Sequence, residues 1–98
     1  MTTLIEERDG PVRVLTIDRP KSRNAIDPPT AVALRRAFAA FEADAEARVL
    51  VLTGAGGHFC AGADLNAVAT GAFGHDPLGD GPLGPTRAPS TKPMIAAV

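Results

Sequence analysis

The sequence has very little of several residue types. Its 98 residues include one cysteine, no tryptophan and no tyrosine. One cysteine allows no internal disulfide, which fits a reducing compartment, so we expect a cytoplasmic protein. The four phenylalanines provide few rings on which nucleic-acid bases could stack. No apolar run reaches the length of a membrane span, and the N-terminal MTTLIEERDG lacks the features of a secretory signal, so we expect no membrane partner.

An excess of either charge is also absent. Ten basic and eleven acidic residues give a formal net charge of -1, and the basic residues are scattered along the chain. With so few aromatic residues, this balance predicts no nucleic-acid partner. The 45% of apolar residues favour a soluble globular fold with one domain at most.

The first half of the chain has the pattern of a β-hairpin. Residues 4–8 and 12–18 are short stretches that contain β-branched residues, and the turn dipeptide Asp9-Gly10 lies between them. Apolar residues fall on both faces of the second stretch, which predicts an interior strand that is covered on both sides.

A helix and another strand follow. Residues 19–29 contain three prolines and are predicted to form a loop, after which Thr30 would cap a helix over residues 31–47. The apolar run Val49 to Thr53 predicts a strand that is buried on both faces. Strand, helix and parallel strand form a βαβ unit with a right-handed crossover, so the fold class is layered α/β.

The second half of the chain is less regular. A glycine-rich stretch over 54–62 precedes a short predicted helix at 64–69. Residues 71–93 hold five glycines and five prolines and are predicted to form a mobile loop. The last five residues have a buried-strand pattern, so we expect the chain to be the N-terminal part of a larger domain. The alternative is a gene product that is simply short.

The stretch from Gly54 to Leu65 is the strongest local signal. It lacks the third glycine of a dinucleotide fingerprint, where Phe59 stands, and it lacks the Gly-Lys-Ser/Thr of a P-loop. Small residues that enter the N-terminal end of a helix present free backbone N–H groups, which suit an oxyanion such as the polarised oxygen of a thioester. An ordinary glycine-rich connection between a strand and a helix would have the same spacing.

Three segments of the chain, in the same order, resemble the crotonase superfamily of enoyl-CoA hydratases and isomerases. Phe-Cys-Ala-Gly-Ala-Asp-Leu at 59–65 resembles its first oxyanion-hole segment. The upstream Arg19-Pro20 with Asn24-Ala25 resembles its "RP…NA" strand exit, which borders the CoA nucleotide, and residues 92–98 resemble the strand that leads to the second oxyanion glycine. The resemblance implies a crotonase-like α/β fold over residues 1–98, of which this chain would be the N-terminal part.

The resemblance also implies site residues. The backbone N–H of Ala63 would donate to the thioester oxygen, and the remaining residues would border CoA: Arg23, Asn24, Ala25, Ile26, Ala61, Gly62, Asp64 and Leu65. Arg23, and with less support Lys21 or Arg87, would pair with CoA phosphates, although a solvated surface charge is the alternative for each. Asp64 is explained as an ordinary acid in the first turn of a helix.

Other reactive side chains carry no assignment. His58 precedes the hole segment at a position that fixes no acid or base role, and Cys60 is expected to be a small buried hydrophobe. One cysteine with His58 and His75 apart gives no metal-ligand spacing, so we expect no metal.

The implied partner is an acyl-CoA thioester, with no cofactor other than the CoA of the substrate. The implied function is stabilisation of an enolate oxyanion, and hydration of a 2-enoyl-CoA in the full-length enzyme, a homotrimer or dimer of trimers. Alternatives are another crotonase-type reaction, such as isomerisation, hydrolysis or decarboxylation. A further alternative is a non-catalytic truncated product, because the family's second oxyanion donor and its catalytic carboxylates lie beyond Val98.

Overall fold

The computed structural model of the protein describes residues 3–62 and 91–98. Its four strands form one sheet in the order β1-β2-β3-β4, in which β1 pairs antiparallel with β2 and the other pairs are parallel. The elements in chain order are β1 (Leu4–Asp9), β2 (Val12–Ile17), a 3-10 helix (Pro20–Ser22), α1 (Pro28–Ala43), β3 (Val49–Gly54) and β4 (Met94–Ala96).

The predicted hairpin and βαβ unit are therefore confirmed, as is the α/β class. The handedness of the crossover stays a prediction. The short helix predicted at 64–69 and residues 71–90 of the predicted mobile loop lie outside the described residues.

The hairpin turns at Gly10. Its φ of +58° lies in the left-handed region, which glycine adopts without steric cost. The pairing register runs from Leu4 opposite Ile17 to Asp9 opposite Val12 without a bulge. Because β2 is flanked by β1 and β3, it is an interior strand, as its sequence predicts.

Helix α1 begins earlier than predicted. Asp27, not Thr30, is the N-cap residue: its carboxylate accepts a hydrogen bond from the backbone N–H of Thr30 at 3.1 Å. Pro28 and Pro29 are the first helical residues, where the missing N–H groups have no partner to lose. The predicted end at Ala47 is also wrong, because the helix stops at Ala43 and residue 44 is extended.

The apolar core lies on one face of the sheet. Alternation along the paired strands places Leu4, Leu15, Ile17 and Leu50 on the same face, and these side chains form one cluster with those of α1. The buried helix residues that join this cluster are Ala31, Leu34, Ala37 and Phe41. The helix therefore covers this face of the sheet.

The opposite face of the sheet is less enclosed than its sequence predicts. On this face Ile5 and Ile95 are exposed, and the residues of β2 and β3 are only half-buried. The half-buried residues are Val12, Val14, Thr16, Val49, Val51 and Thr53. The prediction that β2 and β3 are buried on both faces is therefore wrong for the described residues. The described residues include one α-helix, α1, which packs against the core face of the sheet and leaves the opposite face without a helix from residues 3–62 and 91–98.

Strand β4 is exposed, although its sequence has a buried-strand pattern. Met94 and Ile95 expose 43% and 54% of their surface, and β4 lies at the edge of the sheet that residues 3–62 and 91–98 form. Thr91 and Lys92, which precede β4, contact the C-terminal end of α1. Lys92 Nζ donates to the carbonyls of Phe41 and Asp44 at 2.7 and 2.6 Å, and the Thr91 hydroxyl donates to Glu42 at 2.8 Å. A cation at this end of a helix also interacts favourably with the helix dipole.

Asp44 ties the end of α1 to the hairpin. Its carboxylate lies 3.1 Å from the guanidinium of Arg13 and accepts a hydrogen bond from the backbone N–H of Glu46 at 3.0 Å. Two hydrogen bonds lower the pKa of the Asp44 carboxyl because they stabilise its charged form: the larger effect is that of Glu46 N–H, and the next is that of Arg13.

Candidate functional site

Two segments that are far apart in sequence meet at the end of β3. We call residues 19–26 the strand-exit segment, residues 54–62 the glycine-rich loop, and their contact the junction. Two backbone hydrogen bonds join them: Ala61 N–H donates to the carbonyl of Arg23 at 3.1 Å, and Ile26 N–H donates to that of Gly62 at 2.7 Å. The two segments therefore run side by side as far as residue 62.

The carboxamide of Asn24 lies inside the junction. Its Nδ2 donates to the carbonyls of Ala55 and His58 at 2.8 and 2.6 Å, and its Oδ1 accepts from the backbone N–H of Arg19 at 2.8 Å. The residue is completely buried and has a φ of +56°, a conformation that asparagine tolerates better than most residues. One side chain thus connects the strand exit to both ends of the turn at 55–58.

Glycines allow the two segments to approach. A Cβ at Gly54 would lie only 2.1 and 2.2 Å from the carbonyl oxygens of His58 and Phe59, because the loop folds back over this residue. A Cβ at Gly56 would lie 2.7 Å from the Cβ of Pro20. Backbone packing therefore requires glycine at these two positions.

The glycine-rich loop brings the backbone to Gly62 in a defined position, and Ala63 is the next residue. Gly62 has a φ of +90°, which residues with a Cβ rarely adopt. A loop of small residues lets a ligand approach the main chain, where N–H groups can donate to a negatively charged oxygen.

A family model for enoyl-CoA hydratase/isomerase matches residues 7–98 of the chain. The protein belongs to the enoyl-CoA hydratase/isomerase family. The predicted relation to the crotonase superfamily is confirmed by that match.

Individual members of this family are similar over nearly the whole chain. An enoyl-CoA hydratase of Mycobacterium tuberculosis is 39% identical over 99 aligned residues, which cover 94% of this chain and 37% of the relative. A carnitinyl-CoA dehydratase of Salmonella arizonae is 45% identical over 94 residues, which cover 93% of this chain and 36% of the relative. The chain therefore spans little more than a third of the length of these relatives.

Solved structures agree in fold. The crystal structure of an enoyl-CoA hydratase from Mycobacterium marinum superposes with a TM-score of 0.88 at 40% identity, over 98% of this chain and 37% of that one. A carnitinyl-CoA dehydratase structure from Mycobacterium avium gives a TM-score of 0.89 at 40% identity, over 100% and 40%. The predicted crotonase-like fold is confirmed on this basis.

In the enoyl-CoA hydratase/isomerase chain, the predicted CoA-binding residues fall into two sets. Arg23 and Ala61 are exposed, and Gly62 is half-buried, whereas Asn24, Ala25 and Ile26 are buried with 0%, 8% and 6% of their surface exposed. All six lie at the junction. The other three predicted residues, Ala63, Asp64 and Leu65, lie outside the described residues. Arg87 also lies outside them.

Burial decides how the junction could touch a ligand. The Asn24 carboxamide is used up by main-chain partners, so direct contact with CoA would fall to neighbouring backbone and to the exposed Arg23. Lys21 is exposed on the same turn. Both basic side chains are therefore accessible to an anionic group.

Arg19 and Asp27 hold the strand-exit segment in place, although neither is among the predicted site residues. Arg19 donates through Nη1 to the carbonyl of Ala25 at 2.5 Å, and its Nη2 lies 3.6 Å from the Asp27 carboxylate. The dipeptide Asp27-Pro28 carried a usable signal, because an acid followed by proline at the first helical position is typical of a helix start. The distant ion pair with Arg19 had no such local signal.

Other reactive groups show no catalytic arrangement in residues 3–62 and 91–98. His58 is exposed, and Cys60 is half-buried against the core, with its sulfur 3.4 Å from the N–H of Gly62. Cys60 is thus less buried than predicted. Within these ranges no group of three His, Cys, Asp or Glu side chains could hold a metal ion, and no helix has the length and apolarity to cross a membrane.

Proposed function

We propose that the chain carries the acyl-CoA-binding portion of a hydratase-type enzyme. The junction is the observation that supports this proposal, because it places the strand-exit segment beside the loop that enters residue 63. The backbone N–H of Ala63 donates to the thioester oxygen and stabilises the enolate that forms when water adds to a 2-enoyl-CoA. The relatives are named as a hydratase and a dehydratase, which favours addition or removal of water over the other crotonase-type reactions.

Arg23 and the backbone of residues 24–26 form one wall of the CoA site in this proposal. Residues 61–65 form the opposite wall. Arg23 pairs with a CoA phosphate through its planar guanidinium, with Lys21 as a weaker contributor. The reaction needs no cofactor other than the CoA of the substrate.

The finer points of the proposal come from the resemblance. The full-length protein is a homotrimer or dimer of trimers, located in the cytoplasm, and acts in fatty acid metabolism. The second oxyanion donor and the acid and base carboxylates follow residue 98. The 98-residue chain alone should therefore show no loss of enoyl-thioester absorbance above the uncatalysed rate.

Binding of two ligands tests the proposal. Isothermal titration of the chain with CoA and with crotonyl-CoA should show saturable binding of both at millimolar concentration. The thioester should bind about fivefold more tightly, because one additional hydrogen bond contributes about 1 kcal/mol. No binding of either ligand would contradict the proposal.

A substitution at residue 63 separates the oxyanion donor from the CoA site. Ala63→Pro removes the backbone N–H and should abolish the advantage of crotonyl-CoA over CoA, while the affinity for CoA persists. Ala63→Ser keeps the N–H and serves as the matched control. An unchanged thioester advantage in Ala63→Pro would exclude this amide as the donor.

A further inference from the structure

Asn24 is a buried polar side chain of the junction with three hydrogen bonds to the main chain. Both hydrogens of its amide are donated to loop carbonyls, and its oxygen accepts the Arg19 N–H. It exposes none of its surface, so a ligand cannot reach it without displacing the loop. Its connections therefore act on the protein's own main chain.

The two loop carbonyls that Asn24 holds belong to Ala55 and His58. They are the ends of a turn that brings the chain back over Gly54, and a Cβ on Gly54 would lie 2.7 Å from Asn24 Nδ2. The Asn24 carboxamide and the turn thus pack closely around Gly54 and leave no room for an additional atom there. Loss of the carboxamide would leave two buried carbonyls without donors.

The backbone bonds on either side of Asn24 transmit this position along the loop. Arg23 accepts from Ala61 N–H, and Ile26 donates to the Gly62 carbonyl, so the residue before Ala63 is held by a neighbour of Asn24. The position of the Gly62 carbonyl depends on that bond.

We propose that Asn24 is a positioning residue, whose carboxamide fixes the glycine-rich loop as far as Gly62 and, through it, acts on the oxyanion donor proposed above. This inference rests on the proposed function for its second half. Asn24 makes no contact with the substrate in this account, and it acts only through the turn at 55–58 and the two backbone bonds that follow.

Asn24→Asp is the sharpest variant for a test. Aspartate has nearly the same shape and keeps the acceptor for Arg19 N–H, but an oxygen replaces the NH2 group that supplies both donors, and this oxygen repels the carbonyls of Ala55 and His58. Leu34→Ala is the matched control, because it destabilises the core through α1 and leaves the junction bonds untouched. If Asn24→Asp fails to fold by circular dichroism, Asn24→Gly replaces it, since glycine keeps the left-handed backbone without strain.

The first measurement needs no ligand. Hydrogen exchange should be at least tenfold faster at the amides of Ala61 and Ile26 in Asn24→Asp than in the wild type, after correction for global stability. In Leu34→Ala the corrected rates should be unchanged. Unchanged protection of these two amides in Asn24→Asp would overturn the assignment.

The second measurement is a spectroscopic signature of the aimed amide. With crotonyl-CoA labelled with ¹³C at the thioester carbon, the bound carbonyl resonance should shift downfield in the wild type and in Leu34→Ala at saturation. In Asn24→Asp it should return to the position of the free thioester, and a retained shift would overturn the positioning role. If the wild type binds no thioester, the proposed function fails, and the exchange rates alone decide whether Asn24 fixes the loop.

Discussion

The helix-sheet core and the junction are held together by opposite kinds of interaction. In the core, apolar side chains such as Leu34, Phe41 and Leu50 expose 3% of their surface or less and pack without directional bonds. In the junction, main-chain polar groups are joined by Asn24 and by close approaches at glycines. Substitutions in the core should therefore lower stability while the site geometry persists, whereas substitutions in the junction should change the geometry first.

The largest loss of stability is expected from the core. Leu34→Ala should lower the free energy of unfolding by about 3 kcal/mol, because it removes a side chain that is 2% exposed and leaves a cavity. Urea denaturation followed by circular dichroism measures this. Val32→Ala, on the same helix but 39% exposed, should cost less than about 0.5 kcal/mol. Equal losses for the two variants would mean that α1 does not pack through the face described above.

Gly54→Ala should produce the next effect and should move the junction. Its Cβ would collide with two backbone oxygens, which cannot rotate away, so we expect a loss of about 2 kcal/mol and rapid exchange at the amides of Ala61 and Ile26. Gly57→Ala is the control in the same loop: no atom lies within 4 Å of its Cβ, and only its φ of +83° costs about 1 kcal/mol. Slow exchange in Gly54→Ala would show that the loop does not fold back over this residue.

Asp27 lies between the two regions and should give an intermediate result. Asp27→Ala removes the cap of α1 and should cost about 1 kcal/mol in thermal unfolding. Asp27→Asn keeps the capping oxygen but removes the charge beside Arg19, so it should retain most of that stability. A loss in Asp27→Asn as large as in Asp27→Ala would assign the effect to the ion pair.

The smallest effect should come from Asp44, outside both regions. Its pKa is lowered in the folded chain, so its contribution to stability is present above the ordinary value of 3.8 and is lost as pH falls through the lowered pKa. The difference in Tm between the wild type and Asp44→Asn should therefore be constant near neutral pH and shrink below pH 3.8. A difference that grows on acidification would contradict this sign.

The same two regions differ in how well the sequence predicted them. β1, β2, β3 and most of α1 follow from apolar runs and from the turn at Asp9-Gly10, because these are local patterns. The start of α1 does not follow from these patterns, because two consecutive prolines fit the end of a loop as well as the first turn of a helix. The incomplete burial of the sheet face opposite α1 could not be predicted either, because alternation shows which residues share a face but not what covers that face.

The junction was predicted in its residues but not in its bonds. The resemblance identified the strand-exit segment and the glycine-rich loop, yet the partners of Asn24 lie 31 and 34 residues away in sequence. No local pattern specifies such a pairing, so the burial of Asn24 was not expected from a residue that was assigned to the CoA pocket. The role of Ala63 stays a prediction.

The order of strands in the sheet is the order of strands in the chain. Each strand pairs with the strand that precedes it in the chain, so its partner has already been synthesised when it leaves the ribosome. The hairpin, α1 and β3 can assemble while later residues are still being translated, whereas β4 joins across the longest stretch of intervening chain. Nascent chains of increasing length should accordingly acquire protease resistance in steps, with the pairing of β4 after that of β3.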